Sequence, residues 1–248
     1  MVPHARGRSR SLPVDDVMRQ IGRLGGLGYR EVVLTGIHIG CYGQDLKPAA
    51  SLAGLIRRIR DAGPIDRVRI SSIEPVELSN DIIDLAAGGG DQPGRLCPHF
   101  HVPLQSGDDD ILKRMHRPYD RAFFKDRVHT ILDRMPDSTI GVDILCGFPG
   151  ETDDAFENTV ALIDSLPVAY LHVFPFSARE GTPAYSFTDV VAASTIKQRC
   201  ERMRHLGRQK RLKFTGRVVG KRLTVLVEAR RGKNEVGLKG LTDNYIPV

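Results

Sequence analysis

The 248-residue chain is 41% hydrophobic, enough for one large domain or one domain with a small appendage. Its four cysteines, Cys41, Cys97, Cys146 and Cys200, are too few and too scattered for a disulfide framework and predict a reducing cytoplasm; no run approaches the ~18 apolar residues of a membrane span, so none is expected. The net charge of +6 is unevenly placed: Lys197–Lys233 holds fourteen Lys/Arg against two Glu, which predicts a polyanionic partner or, more simply, a solvated basic helix face.

The opening "MVPHARGRSRS" has three arginines, no acid and no apolar core, so it is neither a signal peptide nor a helix. In "PVDDVMRQIGRLGGLG", Val14, Val17, Met18, Ile21 and Leu24 fall at helical spacing, with Asp15 and Asp16 in the first turn and Gly25 and Gly26 as a stop. "REVVLTGIHIG" reads as a strand with a glycine exit, and "SLAGLIRRIRDAG" as a helix with Leu52, Leu55, Ile56 and Ile59 inward. "DRVRISSIEP" is a strand ending in polar residues, and "SNDIIDLAAGGG" a short helix. "HFHVPLQSG" is a strand, Asp120–Met135 a helix, and "STIGVDILCGFPGE" a buried strand running into a glycine/proline turn. "DDAFENTVALIDSL" is a helix, "AYLHVFPFS" a strand, and Ala193–Phe214 a long basic helix.

Strand and helix thus alternate five times, which predicts parallel strands joined by right-handed crossovers, closed as a barrel or opened as a doubly wound sheet. In either case the functional face lies at the carboxyl ends of the strands. Those ends read "TGIHIG", "SSIEP", "PLQSG", "GFPGE" and "PFSAREGTP", where the polar groups concentrate. After Phe214 the pattern changes to a small β module: Arg222–Glu228 alternates, "GKN" is a turn, and "YIPV" begins another strand. Only two or three strands are found there, whereas a closed barrel takes about five.

In order along the chain, "VPHARGRSRS", "EVVLTG", "SSIEP", "PLQSGDDDILKRMHRPY", "GVDILCGFPGET" and "LHVFPFSAREGTPA" resemble the successive signatures of radical S-adenosylmethionine (SAM) methylthiotransferases. "LHVFPFS" and "TDNYIPV" are most similar to the branch that acts on threonylcarbamoyladenosine in tRNA. The resemblance implies a partial TIM-like barrel of parallel strands over residues 1–213. It also implies that residues 214–248 begin a TRAM domain, an OB-like RNA-binding β-barrel. The implied reaction is methylthiolation of carbon 2 of the adenine beside the anticodon, with SAM and [4Fe–4S] clusters as cofactors and tRNA as partner. The family's cluster motif, C-x-x-x-C-x-x-C, stands just before the "VP-x-x-RG" segment and is absent here, so the chain is expected to be a fragment without activity of its own. The remaining cysteines have no local spacing, and no metal ligand is assigned.

The resemblance also implies site residues. Ser72 and Glu74 stand beside Ser71 at one strand exit, where a carboxylate suits ribose hydroxyls or an ammonium, and equally suits helix capping. Gln105 and Ser106 stand at the next exit, for ribose or carboxylate, or for loop stabilisation. Arg114 is a candidate partner of the SAM carboxylate. Asp143 is one acid in an apolar strand and needs a partner if buried. Gly147, Pro149 and Gly150 let backbone approach a flat ring, with Glu151 and Thr152 opening a helix. Ser177, Arg179 and Thr182 fall at the mouth; Tyr119, His38 and His172 read as packing or loop residues. Arg208, Lys210, Arg211 and Lys213 are the RNA-contact candidates. No residue is assigned as a catalytic acid or base. The alternatives are a ribosomal-protein methylthiotransferase of the same superfamily and a non-catalytic RNA-binding barrel.

Overall fold

A computed structural model of the chain describes residues 7, 9–88, 93–228 and 238–248. In chain order the helices are α1 Val14–Gly26, α2 Leu52–Ala62, α3 Asn80–Ala87, α4 Asp109–Arg114, α5 Arg121–Arg134, α6 Asp153–Ser165 and α7 Ala193–Gly216. The strands are β1 Glu31–Leu34, β2 Arg67–Ile70, β3 Arg95–Leu96, β4 His99–His101, β5 Thr139–Cys146, β6 Tyr170–Pro175, β7 Val225–Glu228 and β8 Lys239–Thr242. Contacts group the chain into two compact units, Met1–Ser9 with His101–Thr130 and Ile140–Arg217, and Arg10–Phe100 with Ile131–Thr139 and Val218–Val248.

The helix ends follow their local chemistry. The Ser51 hydroxyl accepts from Gly54 N–H to open α2, and Gly63, at φ 59°, closes it in the left-handed region. Thr152 opens α6 by accepting from Ala155 N–H, with Asp153 and Asp154 in the first turn. Asp108 opens α4 by accepting from Asp110 and Ile111 N–H.

In the second unit, β1, β2 and β3 pair in parallel in that order. All four residues of β2 are buried, including Arg67 and Arg69. Both guanidiniums bond Glu31, Arg67 Nη2 at 2.9 Å from Oε2 and Arg69 Nε at 2.9 Å from Oε1. Arg69 also donates to the carbonyls of Thr242 and Asp243, Arg67 donates to that of Leu241, and Arg95 pairs with the Asp243 carboxylate at 3.3 Å. Tyr245 stacks on His99, with ring centroids 4.1 Å apart. These bonds offset the desolvation of three arginines and fix the segment Leu241–Tyr245 in this unit.

β7 and β8 form an antiparallel pair. The second strand of the closing module is therefore Lys239–Thr242, while "YIPV" makes one isolated bridge, Pro247 to Leu241. The expected "GKN" turn lies outside the described residues. The two-residue β3 has no periodicity for a sequence reading to detect.

A further sheet has the order β4-β5-β6, with β5 and β6 parallel and Asp143 opposite His172. One face of β5 is sealed: Ile140, Val142, Ile144 and Cys146 are each at most 1% exposed. Helix α7 packs through Cys200, Met203, Leu206, Gly207 and Phe214, and Gly207 lets it approach Leu171 of β6, since a Cβ there would stand 3.3 Å from the Leu171 side chain. The α/β class with parallel strands and a small antiparallel β pair at the carboxyl end is as expected from the sequence.

Candidate functional site

In the first unit the polar residues line the other face of the sheet. His101 of β4, Asp143 of β5, and Tyr170 and His172 of β6 meet there. His101 Nε2 lies 2.7 Å from Asp143 Oδ1, His172 Nδ1 lies 3.4 Å from the same oxygen, and His101 Nδ1 lies 3.1 Å from the Tyr170 hydroxyl. Asp143 thus has the partners that burial demands. They are two histidines, one of which, His172, reads from the sequence as a packing residue. The three residues lie 42 and 29 positions apart, and only the strand register joins them.

At the exit of β4, Gln105 has φ 70°, an uncommon backbone for a residue with a side chain. It is held between β5 bonds: its N–H donates to Asp143 O at 2.8 Å, and Leu145 N–H donates to its carbonyl at 2.9 Å. Its amide makes no hydrogen bond to another described residue, so the group is strained, half-buried and available. Ser106, in contrast, is buried and spent inside the loop, facing Thr159 Oγ1 and accepting from Asp108 N–H.

The "GFPGE" turn has an internal clamp. Glu151 Oε2 accepts from Gly147 N–H at 2.6 Å and from Arg199 Nη1 at 2.7 Å, and Arg199 Nη2 reaches Asp153 at 2.6 Å. Burial pushes the Glu151 carboxyl above its ordinary range, against the lowering pull of Gly147 N–H and Arg199. Both glycines take positive φ, and the space their missing Cβ atoms would fill belongs to protein: Ile196 beside Gly147, Asp189 and Arg114 beside Gly150. Pro149 between them is buried. Arg114 is already engaged, donating to Asp189 at 2.9 Å and lying 5.0 Å over the Phe187 ring. The structure therefore gives these glycines a packing reason that the sequence reading did not contain.

In the second unit Ser72 is exposed and Glu74 half-buried, and the Glu74 carbonyl accepts from Glu77 and Leu78 N–H. The acid that organises this end is Glu77, which sequence reasoning missed. It lies 3.2 Å from His38 Nδ1, accepts from Gly40 N–H at 3.2 Å and from the Cys41 thiol at 3.3 Å. A Cβ on Gly40 would sit 2.2 Å from that of Glu77, so the glycine of "HIG" was the available signal.

Along α7 the cations divide. Arg208 and Lys213 are exposed, Arg211 is half-buried, and none makes an ion pair with a described residue. Lys210 departs from the expectation. Its ammonium is buried and donates to the carbonyls of Asp164 at 2.5 Å and Leu166 at 2.9 Å, closing the end of α6, and desolvation lowers its pKa. Cys200, Met203, Gly207, Lys210 and Phe214 follow one helical stripe, a spacing that places Lys210 on the packed face.

Each unit holds two cysteines, Cys41 and Cys97 in one, Cys146 and Cys200 in the other. A [4Fe–4S] cluster needs thiolates converging on one cube. Desolvation pushes the Cys97 thiol up to about 12 and also raises that of Cys146, and among the described residues no trio of cysteines comes within metal-binding reach. The described residues do not form a cluster cradle.

Comparison with known proteins then places the chain. The radical SAM superfamily profile matches residues 1–163. The chain belongs to the radical SAM superfamily. The superfamily's cofactors are SAM and a [4Fe–4S] cluster. Relatives include the threonylcarbamoyladenosine tRNA methylthiotransferase of Rickettsia prowazekii, 37% identical over 100% of this chain and 56% of that protein, and its counterpart in Bacillus subtilis, 35% identical over 100% and 54%. A tRNA-2-methylthio-N(6)-dimethylallyladenosine synthase of Desulfitobacterium hafniense is 35% identical over 99% of this chain and 54% of its own length. The chain spans about half the length of these curated relatives. Among solved structures, the radical SAM enzyme coproporphyrinogen III oxidase of Escherichia coli aligns with TM-score 0.56 at 13% identity, over 79% of this chain and 46% of that one. A radical SAM methyltransferase of Kitasatospora setae aligns with TM-score 0.52 at 17% identity, over 68% and 31%. Both support the radical SAM fold of this chain. Among the described residues no helix is long and apolar enough to cross a membrane.

Proposed function

We propose that this chain belongs to a cytoplasmic tRNA methylthiotransferase, and that its target is N6-threonylcarbamoyladenosine beside the anticodon. The observation that carries this reading is the likeness, across the whole chain, to relatives that are all named for methylthio modification of adenosine in tRNA. The motifs "LHVFPFS" and "TDNYIPV" favour the threonylcarbamoyl branch over the dimethylallyl one. In this reading residues 1–213 are the radical SAM core and residues 214–248 open a TRAM-like module.

The share of this chain is positioning. Gln105, strained and unspent at a strand exit, orients a polar group of SAM. Arg114 takes the SAM carboxylate only by exchange with Asp189. Asp143 acts through its histidine partners rather than alone. The "GFPG" turn, clamped by Glu151, presents backbone to the adenine. Arg208, Arg211 and Lys213 meet tRNA phosphates; Lys210 supports the helix that carries them. The hard chemistry belongs to the cofactors.

The test is expression of the gene product that contains this chain in bacteria lacking their own tRNA methylthiotransferases, followed by mass spectrometry of tRNA nucleosides. Appearance of 2-methylthio-N6-threonylcarbamoyladenosine supports the reading. Appearance of the dimethylallyl product alone moves the protein to the other branch, and absence of both overturns the activity.

A further inference from the structure

Two imidazoles and one carboxylate meet on the face of the β4-β5-β6 sheet that the apolar packing leaves open. We propose that His101, Asp143 and His172 bind one divalent transition-metal ion, with zinc as its representative, separately from any iron–sulfur cluster. The inference does not rest on the tRNA reading.

The donor set points to such an ion. One ligand atom from each residue lies within 4.8 Å of the other two. Two nitrogens and one oxygen suit zinc and its neighbours, whereas calcium and magnesium take oxygen ligands. The ligands stand on three adjacent strands, and the parallel register sets Asp143 opposite His172. Strands hold donors more firmly than loops do.

The hydrogen bonding also leaves room for a cation. Without one, a single oxygen, Asp143 Oδ1, serves both imidazoles, His101 at 2.7 Å and His172 at 3.4 Å. The second contact is too long for a good hydrogen bond. Donors around a tetrahedral zinc at about 2.0–2.1 Å are spaced roughly 3.4 Å apart, so little movement converts the cluster into a ligand set. The His101 and His172 rings are near-stacked, with centroids 4.8 Å apart and planes 30° from parallel.

Support behind the ligands is present. The Tyr170 hydroxyl, 3.1 Å from His101 Nδ1, is the outer partner that fixes which ring nitrogen faces the ion. Gly141 makes room for that tyrosine: a Cβ there would lie 2.1 Å from the Tyr170 ring. His172 is 54% exposed on its side chain, so a further coordination position faces solvent and can take water or a substrate oxygen.

The experiment uses the untagged chain, stripped with chelator and titrated with zinc chloride by calorimetry and with cobalt(II) by visible absorption. One ion per chain is expected. Cobalt should give intense d–d bands without the near-ultraviolet charge transfer that thiolate ligation adds. His172→Ala and Asp143→Asn should each abolish the signal, Tyr170→Phe should weaken binding by about 10–100-fold, and Cys146→Ala/Cys200→Ala should leave it unchanged. His172 is largely exposed, so its variant keeps the parent's circular dichroism. Absence of binding in the parent, binding that survives His172→Ala, or binding that follows the cysteines would overturn the proposal.

Discussion

Replacing Glu151 by alanine tests whether the "GFPGE" turn is held by its buried ion pair. The Glu151 side chain is 2% exposed and that of Arg199 6%, with Arg199 Nη1 bonded to the carboxylate at 2.7 Å and to the Glu151 carbonyl at 2.9 Å. Breaking a buried pair from one side costs about 3–5 kcal/mol, because the remaining charge is left desolvated. Asp153 still reaches Arg199 Nη2, and it is 94% exposed, so it softens the loss without replacing the buried partner. A cost near 3 kcal/mol corresponds to a drop in Tm of about 6–12 °C for a chain of this size. Glu151→Gln keeps an acceptor for Gly147 N–H and should cost about 1.5–3 kcal/mol. The double change Glu151→Leu/Arg199→Met removes both charges and should be nearer the parent than Glu151→Ala is. There is also a pH signature. Burial raises the folded pKa of Glu151, so the folded state binds the proton more tightly. The resulting stabilisation is complete below the ordinary carboxylate value of 4.5 and is lost as pH rises through the folded value. Glu151→Gln should flatten that decline. Urea unfolding followed by circular dichroism, across pH 4 to 8, measures all of this. A Glu151→Ala variant within ~1 kcal/mol of the parent would refute the reasoning, because the pair would then contribute nothing that alanine and water cannot supply.

Gly147→Ala should destabilise the first unit by more than about 1 kcal/mol, since its φ is +82° and the new Cβ would stand 2.3 Å from Ile196 Cγ1; Ile196→Ala should recover part of that loss, read by the same unfolding curves. Arg208→Glu/Arg211→Glu/Lys213→Glu should lower tRNA affinity and flatten its salt dependence, at about 0.7–0.9 in slope for each lost phosphate contact, while Lys210→Met should leave the slope unchanged; filter binding from low to high salt distinguishes them. Iodoacetamide at neutral pH should label the half-buried Cys41 ahead of the buried Cys97, Cys146 and Cys200, because desolvation raises all four thiols and access therefore sets the order; mass spectrometry showing equal labelling in the folded chain would contradict that order.

What the sequence revealed was whatever is decided within a few residues. Ser51, Gly63 and Thr152 announce helix ends because capping needs only neighbours three or four positions away. The polar ends of the strands were legible for the same reason, as each is a local change from apolar to polar. Lys210 was legible in principle, because its place on the Cys200–Met203–Gly207–Phe214 stripe is a matter of helical period; a count of charge alone hid it. The β3 strand was not, because two residues carry no period and their pairing with Arg67 and Val68 is dictated by tertiary contact.

The site needed more than local pattern. In β5 the alternation of Ile140, Val142, Ile144 and Cys146 with Gly141, Asp143 and Leu145 declares two faces, and packing seals the first. Nothing in the spacing says what the second face meets. Parallel pairing supplies the answer, setting Gly141 against Tyr170 and Asp143 against His172. A residue without a side chain thereby makes room for a tyrosine, and an acid that looked solitary in its own strand receives one imidazole from each side. The same strand that builds the core with its even-numbered residues holds Asp143 on its opposite face. For that reason a change at Asp143 should alter binding while leaving the fold intact, and a change at Val142 or Ile144 should do the reverse.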